Sequence, residues 1–119
     1  MLLKNAKIVN PKTNFEGFLD IRIEDGYIKE LTTNISPLND EDVIDLTGKI
    51  ITPGLIDIHC HLREPGFNAK ETIKTGIVSA INGGYTAICP MANTNPVVDN
   101  STTLTYTISK AKEVSDIGF

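Results

Sequence analysis

The sequence lacks several features that mark large classes of protein. It has no tryptophan, and it has two cysteines, two histidines and a net charge of −4 in 119 residues. A negative net charge argues against nucleic acid or an anionic membrane as a partner, since both attract a basic surface. No apolar run reaches the roughly 18 residues that span a membrane, and residues 1–7 are too polar for a secretory signal. We therefore expect a cytoplasmic protein that acts on a small molecule, without a nucleic-acid or membrane partner.

The two cysteines also bear on compartment and chemistry. Cys60 falls on the predicted helix-facing side of a strand, and Cys89 lies near the end of another. Because the cytoplasm is reducing, we expect buried free thiols in preference to a disulfide or metal ligands.

The first part of the chain has the alternating pattern of β-strands. Strands are predicted at 2–9, 18–24, 27–31, 43–46 and 49–52. Asp25-Gly26 favours a tight hairpin turn, because both central residues of such a turn have positive φ. Thr47-Gly48 is a second turn signal. We expect residues 1–52 to form a small antiparallel β-domain.

From Pro53 onward, predicted strands alternate with predicted helices. The strands cover 55–62 and 85–91, and Pro90 marks the end of the second. This alternation is typical of a parallel sheet covered by helices, as in a doubly wound fold or a (β/α)8 barrel. A barrel needs about 250 residues, and residues 53–119 would supply only its first units. We therefore expect an N-terminal part of a larger protein, in which the barrel is incomplete.

Capping signals give the expected helix boundaries. Asn68, with Glu71 three residues later, predicts the start of the first helix, which should end at Gly83. Asp99 or Ser101 can cap the second helix, which should stop near residue 118. The apolar residues expected to face the sheet are Ile73, Ile77, Ala80, Ile81, Leu104, Ile108 and Ala111.

Two histidines end the apolar strand in the stretch PGLIDIHCHLREPG, residues 53–66. Side chains alternate along a strand, so His59 and His61 share a face, with Cα atoms about 6.6 Å apart. Two imidazoles can then meet one metal ion, and zinc or a similar divalent ion suits them. Such an ion lowers the pKa of a bound water from about 15.7 to about 7. Inert structural histidines are the alternative, and a catalytic metal site would need further ligands.

Three other polar residues are candidates for the same site. Arg63 follows the histidines, and its planar donors fit a carboxylate, although it can also pair with Glu64. Asn93, in the loop after the second strand, offers a donor and an acceptor, although turn chemistry would explain it as well. Asp57 can orient an imidazole or lie in the floor of a barrel, and we favour the floor. The alternate strand residues are predicted to pack under helices: Ile56, Ile58, Cys60 and Leu62.

These residues together carry a resemblance to a known family. PGLIDIHCHLREPG resembles the PG-x-ID-x-H-x-HLREPG signature of the class I dihydroorotases, in the amidohydrolase superfamily. GGYTAICPMANTNPVVDN resembles that family's GG-aromatic-T segment followed by M-x-NT-x-P, with Ala92 where many relatives have proline. The resemblance covers about residues 50–100. It implies an α/β fold that contains the N-terminal part of a (β/α)8 TIM-like metal-dependent hydrolase barrel, preceded by a small antiparallel β-domain.

The resemblance also implies a reaction and a site. The reaction is reversible hydrolysis of the cyclic amide of L-dihydroorotate to N-carbamoyl-L-aspartate in pyrimidine synthesis. By position, His59 and His61 would bind one or two zinc ions or other divalent metals, and His61, Arg63 and Asn93 would bind the substrate. No catalytic residue is expected within this chain, because the family's bridging carboxylate, further histidines and catalytic aspartate would follow Phe119. A homodimer or an assembly with aspartate transcarbamoylase is the implied partner arrangement.

Other functions are weighed against this one. Allantoinases, hydantoinases and dihydropyrimidinases also use H-x-H, but their substrates lack the carboxylate of dihydroorotate, so Arg63 favours dihydroorotase. A non-catalytic scaffold would be expected to lose metal ligands, and both histidines are present. A small β-rich binding module would leave unpaired strand edges at the end of the chain.

Overall fold

The computed structural model describes residues 1–119, which form two compact units, Met1–Pro53 and Gly54–Phe119. The elements are β1 (Leu2–Asn10), β2 (Phe15–Glu24), β3 (Tyr27–Thr32), β4 (Val43–Asp45), β5 (Ile50–Ile51), β6 (Leu55–Cys60), α1 (Ile73–Asn82), β7 (Tyr85–Pro90) and α2 (Ser101–Lys112). Neither helix has the length and apolar character needed to cross a membrane.

The first unit is one five-stranded sheet in which β3, β2, β1 and β4 are neighbours in that order and β5 also pairs with β1. The pairs β1–β2 and β2–β3 are antiparallel. Asp25 and Gly26 have φ values of 51° and 79°, so the predicted hairpin turn is confirmed.

The second predicted turn of this unit does not reverse the chain. β4 and β5 both pair with β1 in parallel, so the expectation of a wholly antiparallel β-domain over residues 1–52 was wrong for these strands. Oδ1 of Asp45 accepts hydrogen bonds from the backbone N and the Oγ1 of Thr47, at 3.0 and 2.7 Å. This local turn lets the chain continue in the same direction along β1.

The sheet of the first unit buries side chains on both faces. One face carries the apolar cluster of Ala6, Ile8 and Ile21. Leu2 is fully buried but stands opposite Arg22 and outside that cluster, because the register of β1 shifts between Leu3 and Ala6. The other face therefore carries buried charged residues of β2.

Asp20 is the first of these charged residues and is 4% exposed. Its carboxylate accepts the backbone N–H groups of Asn5 and Ile35 at 2.8 and 3.0 Å, and it forms an ion pair with Lys4 at 3.0 Å. Burial raises the pKa of Asp20, but these hydrogen bonds and the Lys4 ammonium outweigh burial and hold the pKa below its usual value. The carboxylate is thus charged and fully engaged.

Arg22 is 8% exposed and holds several parts of the unit together. Its Nε and Nη2 bind the two carboxylate oxygens of Glu41 at 3.0 and 3.1 Å, and it also contacts Glu30 and the Ser36 carbonyl. The Arg22 hydrogen bonds, followed by one from Leu38 N–H, lower the pKa of Glu41 to about 2.

In the second unit, β6 and β7 pair in parallel and the two helices cover one face of them. The buried apolar cluster consists of Leu62, Ile73, Ile77, Ile88 and Ala111. At the other edge of β7, Gly118 pairs in parallel with Ala87.

α1 begins later than predicted, so Asn68 is not its cap. Thr72 is the N-cap, and its Oγ1 accepts from Thr75 N at 3.0 Å while Thr75 Oγ1 accepts from Thr72 N at 3.1 Å. Two hydroxyls therefore replace the predicted Asn–Glu capping box. Asn68 instead accepts from Gly66 N–H at 3.1 Å, and Glu71 contacts the Thr75 hydroxyl.

The boundaries of α2 also differ from those predicted. Asn100 is the N-cap, and its side chain accepts a backbone N–H at 3.1 Å, so neither Asp99 nor Ser101 has that role. The helix ends at Lys112, well before the predicted end near residue 118.

The predicted apolar stripes of the helices are confirmed in part. The positions that are buried or half-buried are Ile73, Ile77, Ala80, Ile108 and Ala111. Ile81 and Leu104 are instead 45% and 49% exposed.

Strict alternation fails along β6. Ile56 and Ile58 are 62% and 76% exposed, although they were predicted to pack under helices. The register between β6 and β7 shifts twice, and Asp57 stands opposite the buried Ile88. Cys60 packs against the helix-covered cluster as predicted, and Asp57 lines the same hollow as Cys60 and His61.

Both cysteines are free thiols, and Cys60 is half-buried whereas Cys89 is exposed. The expectation of burial was therefore wrong for Cys89. Burial, followed by the nearby carboxylate of Asp57, raises the pKa of the Cys60 thiol.

Candidate functional site

The two histidines lie together at the end of β6. His59 is in the strand and His61 follows it, and both side chains are exposed. Their ring centroids are 5.3 Å apart and the rings are inclined at 71°. The predicted proximity of the two imidazoles is present in the structure.

Asn93 joins this pair from a distant part of the sequence. Its Oδ1 lies 3.0 Å from Nδ1 of His61. The two parallel strands end side by side, with Met91 N donating to the Cys60 carbonyl at 2.8 Å, so the loops that follow them meet. An amide oxygen only accepts, so Nδ1 of His61 donates, and Nε2 of a neutral imidazole keeps a free lone pair.

The donor chemistry of this cluster fits part of a metal site. Imidazole nitrogens suit zinc and similar divalent ions, and an Nδ1–H held by a neighbour is a common way to orient a ligand histidine. No group of three or more His, Cys, Asp or Glu side chains in the chain is arranged to hold an ion. His59 and His61 would therefore supply two donors of a metal site, which would need further ligands.

Asp57 does not orient either imidazole. Its Oδ1 accepts the backbone N–H of His59 at 2.9 Å. Together with its position opposite Ile88, this contact makes Asp57 a residue that shapes the strand backbone beneath the histidines.

Arg63 is half-buried and stands in the left-handed backbone region, with φ of 62°. It forms none of the ion pairs of the structure, so the alternative pairing with Glu64 is not present. No hydrogen bond joins its guanidinium to His61 or Asn93. Its carbonyl accepts Phe67 N–H at 2.9 Å, which fixes the turn of the loop.

Glu64 is a site residue that the motif contains but sequence reasoning treated only as a partner for Arg63. One carboxylate oxygen accepts Ile73 N–H, in the first turn of α1, at 2.8 Å, and the other accepts the hydroxyl of Tyr106, on α2, at 3.0 Å. The same hydrogen bond to the Glu64 carboxylate raises the pKa of Tyr106. The run of charged and turn residues after the histidines was the only sequence signal for this role.

The loops after β6 and β7 touch at Gly66. Asn95 N donates to the Pro65 carbonyl at 3.0 Å. Gly66 has φ of 94°, and a Cβ at this position would collide with the backbone oxygen of Asn95. Thr94, only 8% exposed, donates to the Pro96 carbonyl at 2.8 Å and closes the second loop on itself. Sequence reasoning did not identify Gly66 or Thr94 as parts of the site.

A mainly apolar cavity of about 320 Å³ lies beside the loops but not at the histidines. Arg63 and Glu64 are its charged lining residues, and His59, His61 and Asn93 are absent from its wall. The polar cluster and the cavity are therefore different features of this unit.

Comparisons with known proteins agree with the motifs. A family model described as Dihydro-orotase-like matches residues 48–118. The dihydroorotase of Acetivibrio thermocellus is 50% identical over 95% of this chain and 26% of that protein. The dihydroorotase of Aquifex aeolicus is 44% identical over 96% of this chain and 27% of that protein. The chain thus spans about a quarter of the length of these curated relatives.

Solved structures resemble the fold. The L-hydantoinase (dihydropyrimidinase) of Arthrobacter aurescens matches 92% of this chain and 24% of its own, with a TM-score of 0.81 at 24% identity. The D-hydantoinase (dihydropyrimidinase) of a Thermus species matches 93% and 24%, with a TM-score of 0.68 at 32% identity. The predicted fold class, a β-rich start followed by an incomplete barrel, is confirmed. The family match covers more than half of the chain, including both motifs, and the chain belongs to the dihydroorotase-like family of amidohydrolases.

Proposed function

We propose that this chain is the N-terminal part of a dihydroorotase, which reversibly hydrolyses the cyclic amide of L-dihydroorotate to N-carbamoyl-L-aspartate. The hydrogen bond between His61 and Asn93 carries the proposal. It joins a residue of each of the two family motifs at one point, where a ligand imidazole and a substrate-binding amide would be needed. The names of the curated relatives support the same activity.

In this proposal His59 and His61 would hold zinc or a similar divalent ion, with further ligands from outside this chain. When bound, such an ion lowers the pKa of a coordinated water and polarises a carbonyl group. Asn93 keeps the imidazole of His61 in one orientation by accepting its Nδ1–H.

The substrate carboxylate is the proposed partner of Arg63 and Asn93. The guanidinium of Arg63 has no anionic partner in the structure, so its donors are available to a carboxylate. The amide nitrogen of Asn93 has two N–H donors, which remain free while its oxygen faces His61. His61 borders the same substrate. A pyrimidine-synthesis role in the cytoplasm, and a homodimer or an assembly with aspartate transcarbamoylase, belong to this proposal as predictions.

A hydantoinase or dihydropyrimidinase activity is the second candidate. The fold likeness to two hydantoinases favours it, since about a quarter of each of their chains superposes on almost the whole of this chain. Their substrates present a cyclic amide without the carboxylate of dihydroorotate, so Arg63 separates the two activities.

The test compares substrates in the full-length protein that contains this chain. We expect turnover of L-dihydroorotate to exceed that of hydantoin, dihydrouracil and allantoin. Arg63→Lys should lower kcat/KM for dihydroorotate about 10- to 100-fold and leave bound metal unchanged, because a charge-assisted carboxylate contact contributes about 1.5–3 kcal/mol.

Lys70→Arg, in the same loop and at an exposed position, is the control and should retain full activity. Preference for dihydrouracil or hydantoin would favour a hydantoinase or dihydropyrimidinase over a dihydroorotase. Absence of turnover on all four compounds by metal-loaded protein would favour a non-catalytic scaffold.

A further inference from the structure

We propose that Glu64 is a positioning residue that holds Arg63 in the substrate site by tying its loop to both helices, an inference that rests on the proposed dihydroorotase function. The two carboxylate oxygens of Glu64 have different partners, Ile73 N–H at 2.8 Å and the Tyr106 hydroxyl at 3.0 Å. These partners are 9 and 42 residues away in sequence. A single side chain therefore connects the loop after β6 with α1 and α2.

Arg63 needs such support because of its backbone conformation. Its φ of 62° lies in the left-handed region, which costs a residue with a Cβ about 1–2 kcal/mol. A residue stays in this region only when its surroundings fix it there. On one side of Arg63, Leu62 is 6% exposed in the apolar cluster, and on the other side Glu64 is bound to the helices. Arg63 is thus held between two anchors.

The charge of Glu64 suits its position. Ile73 is the first residue of α1, where backbone N–H groups lack helical acceptors and the helix dipole favours a negative group. A carboxylate that accepts such an N–H forms a charge-assisted hydrogen bond, stronger than a neutral one. Thr72 already caps Thr75 N, so Glu64 satisfies a different donor of the same helix end.

The loop after β7 is joined to the loop after β6 by contacts near Gly66. Asn95 N donates to the Pro65 carbonyl, and the absence of a side chain at Gly66 lets the two backbones approach. Asn93 lies two residues before Asn95, on the loop that Gly66 contacts. Glu64 therefore supports, through Arg63 and the neighbouring loop, both proposed carboxylate-binding residues.

The chemistry of substitution at residue 64 allows a sharp test. Gln can accept Ile73 N–H through its amide oxygen and donate its amide N–H to the oxygen of Tyr106, so Glu64→Gln keeps both links. Glu64→Ala removes both. Tyr106→Phe removes one link and leaves Glu64 and α1 in place. Tyr85→Phe is the matched control, because the Tyr85 hydroxyl takes part in no hydrogen bond of the structure and Tyr85 has no part in the site.

The experiment measures kcat, KM, metal content and amide hydrogen exchange in the full-length protein that contains this chain. Glu64→Ala should raise KM for L-dihydroorotate about tenfold or more with metal unchanged, since a small misplacement of a binding group is costly. Tyr106→Phe and Glu64→Gln should each raise KM by a smaller factor, about threefold, because the first loses one link and the second keeps both links without the charge, while Tyr85→Phe stays close to the parent. Exchange of the Phe67 amide, bonded to the Arg63 carbonyl, should be faster in Glu64→Ala than in Glu64→Gln.

A purely structural role would lower folded yield and apparent kcat and would leave KM unchanged in every folded variant, which would overturn the inference. If Glu64→Ala does not fold, the KM of Tyr106→Phe tests the inference, and an unchanged KM in that variant would overturn it. If the parent protein does not turn over dihydroorotate, the proposed function fails, and exchange of the Phe67 amide still decides whether Glu64 positions the loop.

Discussion

In the unit Met1–Pro53 the charged side chains that are most buried have partners of opposite charge, whereas in Gly54–Phe119 the polar cluster of His59, His61 and Asn93 is exposed. Asp20 and Arg22 of the first unit are bound on several sides. His59 and His61 of the second unit lie beside each other, and His61 also forms a hydrogen bond with Asn93, so ring nitrogens of both histidines remain free to bind a ligand.

This difference indicates that polar side chains have different roles in the two units. In the first unit, ion pairs replace water for groups that the sheet and the segment 33–42 enclose, so removal of one partner leaves a buried charge. In the second unit, stability comes from an apolar cluster between the helices and β7, and the polar groups at the strand ends are free to bind a ligand. Changes in the first unit should alter stability, and changes at the strand ends of the second should alter binding and turnover.

The largest expected effect tests the ligand role directly. In the full-length protein, His61→Ala should abolish bound metal and turnover together, because it removes one of two adjacent imidazoles and the partner of Asn93. Elemental analysis and an assay with L-dihydroorotate measure the two quantities.

Glu41→Gln is the corresponding change in the first unit, and folded protein with this change should keep its metal and its turnover. Unchanged metal content in His61→Ala would show that His61 is not a metal ligand. The proposed difference between the two units, stability in the first and ligand binding in the second, would then lose its main support.

A change at the contact between the two loops of the second unit should have an intermediate effect. Gly66→Ala places a Cβ against the Asn95 backbone oxygen at a positive φ, and should destabilise the protein by about 1–3 kcal/mol and raise KM for dihydroorotate. Denaturant unfolding and exchange of the Asn95 amide measure the effect.

Gly84→Ala is the matched control, since Gly84 also has a positive φ, 82°, but open space around its missing Cβ. Its substitution reports the backbone cost alone. Equal losses of stability in the two variants, with KM unchanged in Gly66→Ala, would show that the approach of the loops has no part in substrate binding.

The smallest expected effect concerns the pH dependence of the first unit. The pKa of Glu41 is about 2 in the folded chain, below its usual 4.5, chiefly because Arg22 binds the carboxylate. A lowered pKa means that the contribution of Glu41 to stability is complete above about pH 4.5 and is lost as the pH falls towards 2.

Unfolding followed between pH 6 and pH 2 by amide exchange at Leu38, whose N–H binds Glu41, measures this loss. Glu41→Gln should be less stable than the parent at pH 6, and the difference between the two proteins should shrink as the pH falls. A difference that is constant over this range would mean that the ion pair does not contribute through its charge.

Much of the fold follows from local patterns. The hairpin at Asp25-Gly26 was predictable because few residues other than these accept two positive φ values in succession. The end of β7 at Pro90 was predictable because proline cannot donate to a strand neighbour. Asn68 misled the prediction of the helix start, because several polar residues near a helix start can cap it and only the path of the loop selects one.

Part of the candidate site could likewise be predicted from the sequence, and part could not. The H-x-H spacing, the arginine after it and the resemblance of both motifs to dihydroorotases were legible in the sequence, because strand alternation and side-chain chemistry are local properties. Their roles as metal and substrate ligands stay predictions. Only the tertiary structure brought Asn93 to His61, gave Glu64 its two helix partners and set Gly66 against Asn95. These contacts join residues from different elements, and they depend on where parallel strands end and how helices cover them, which no local pattern specifies.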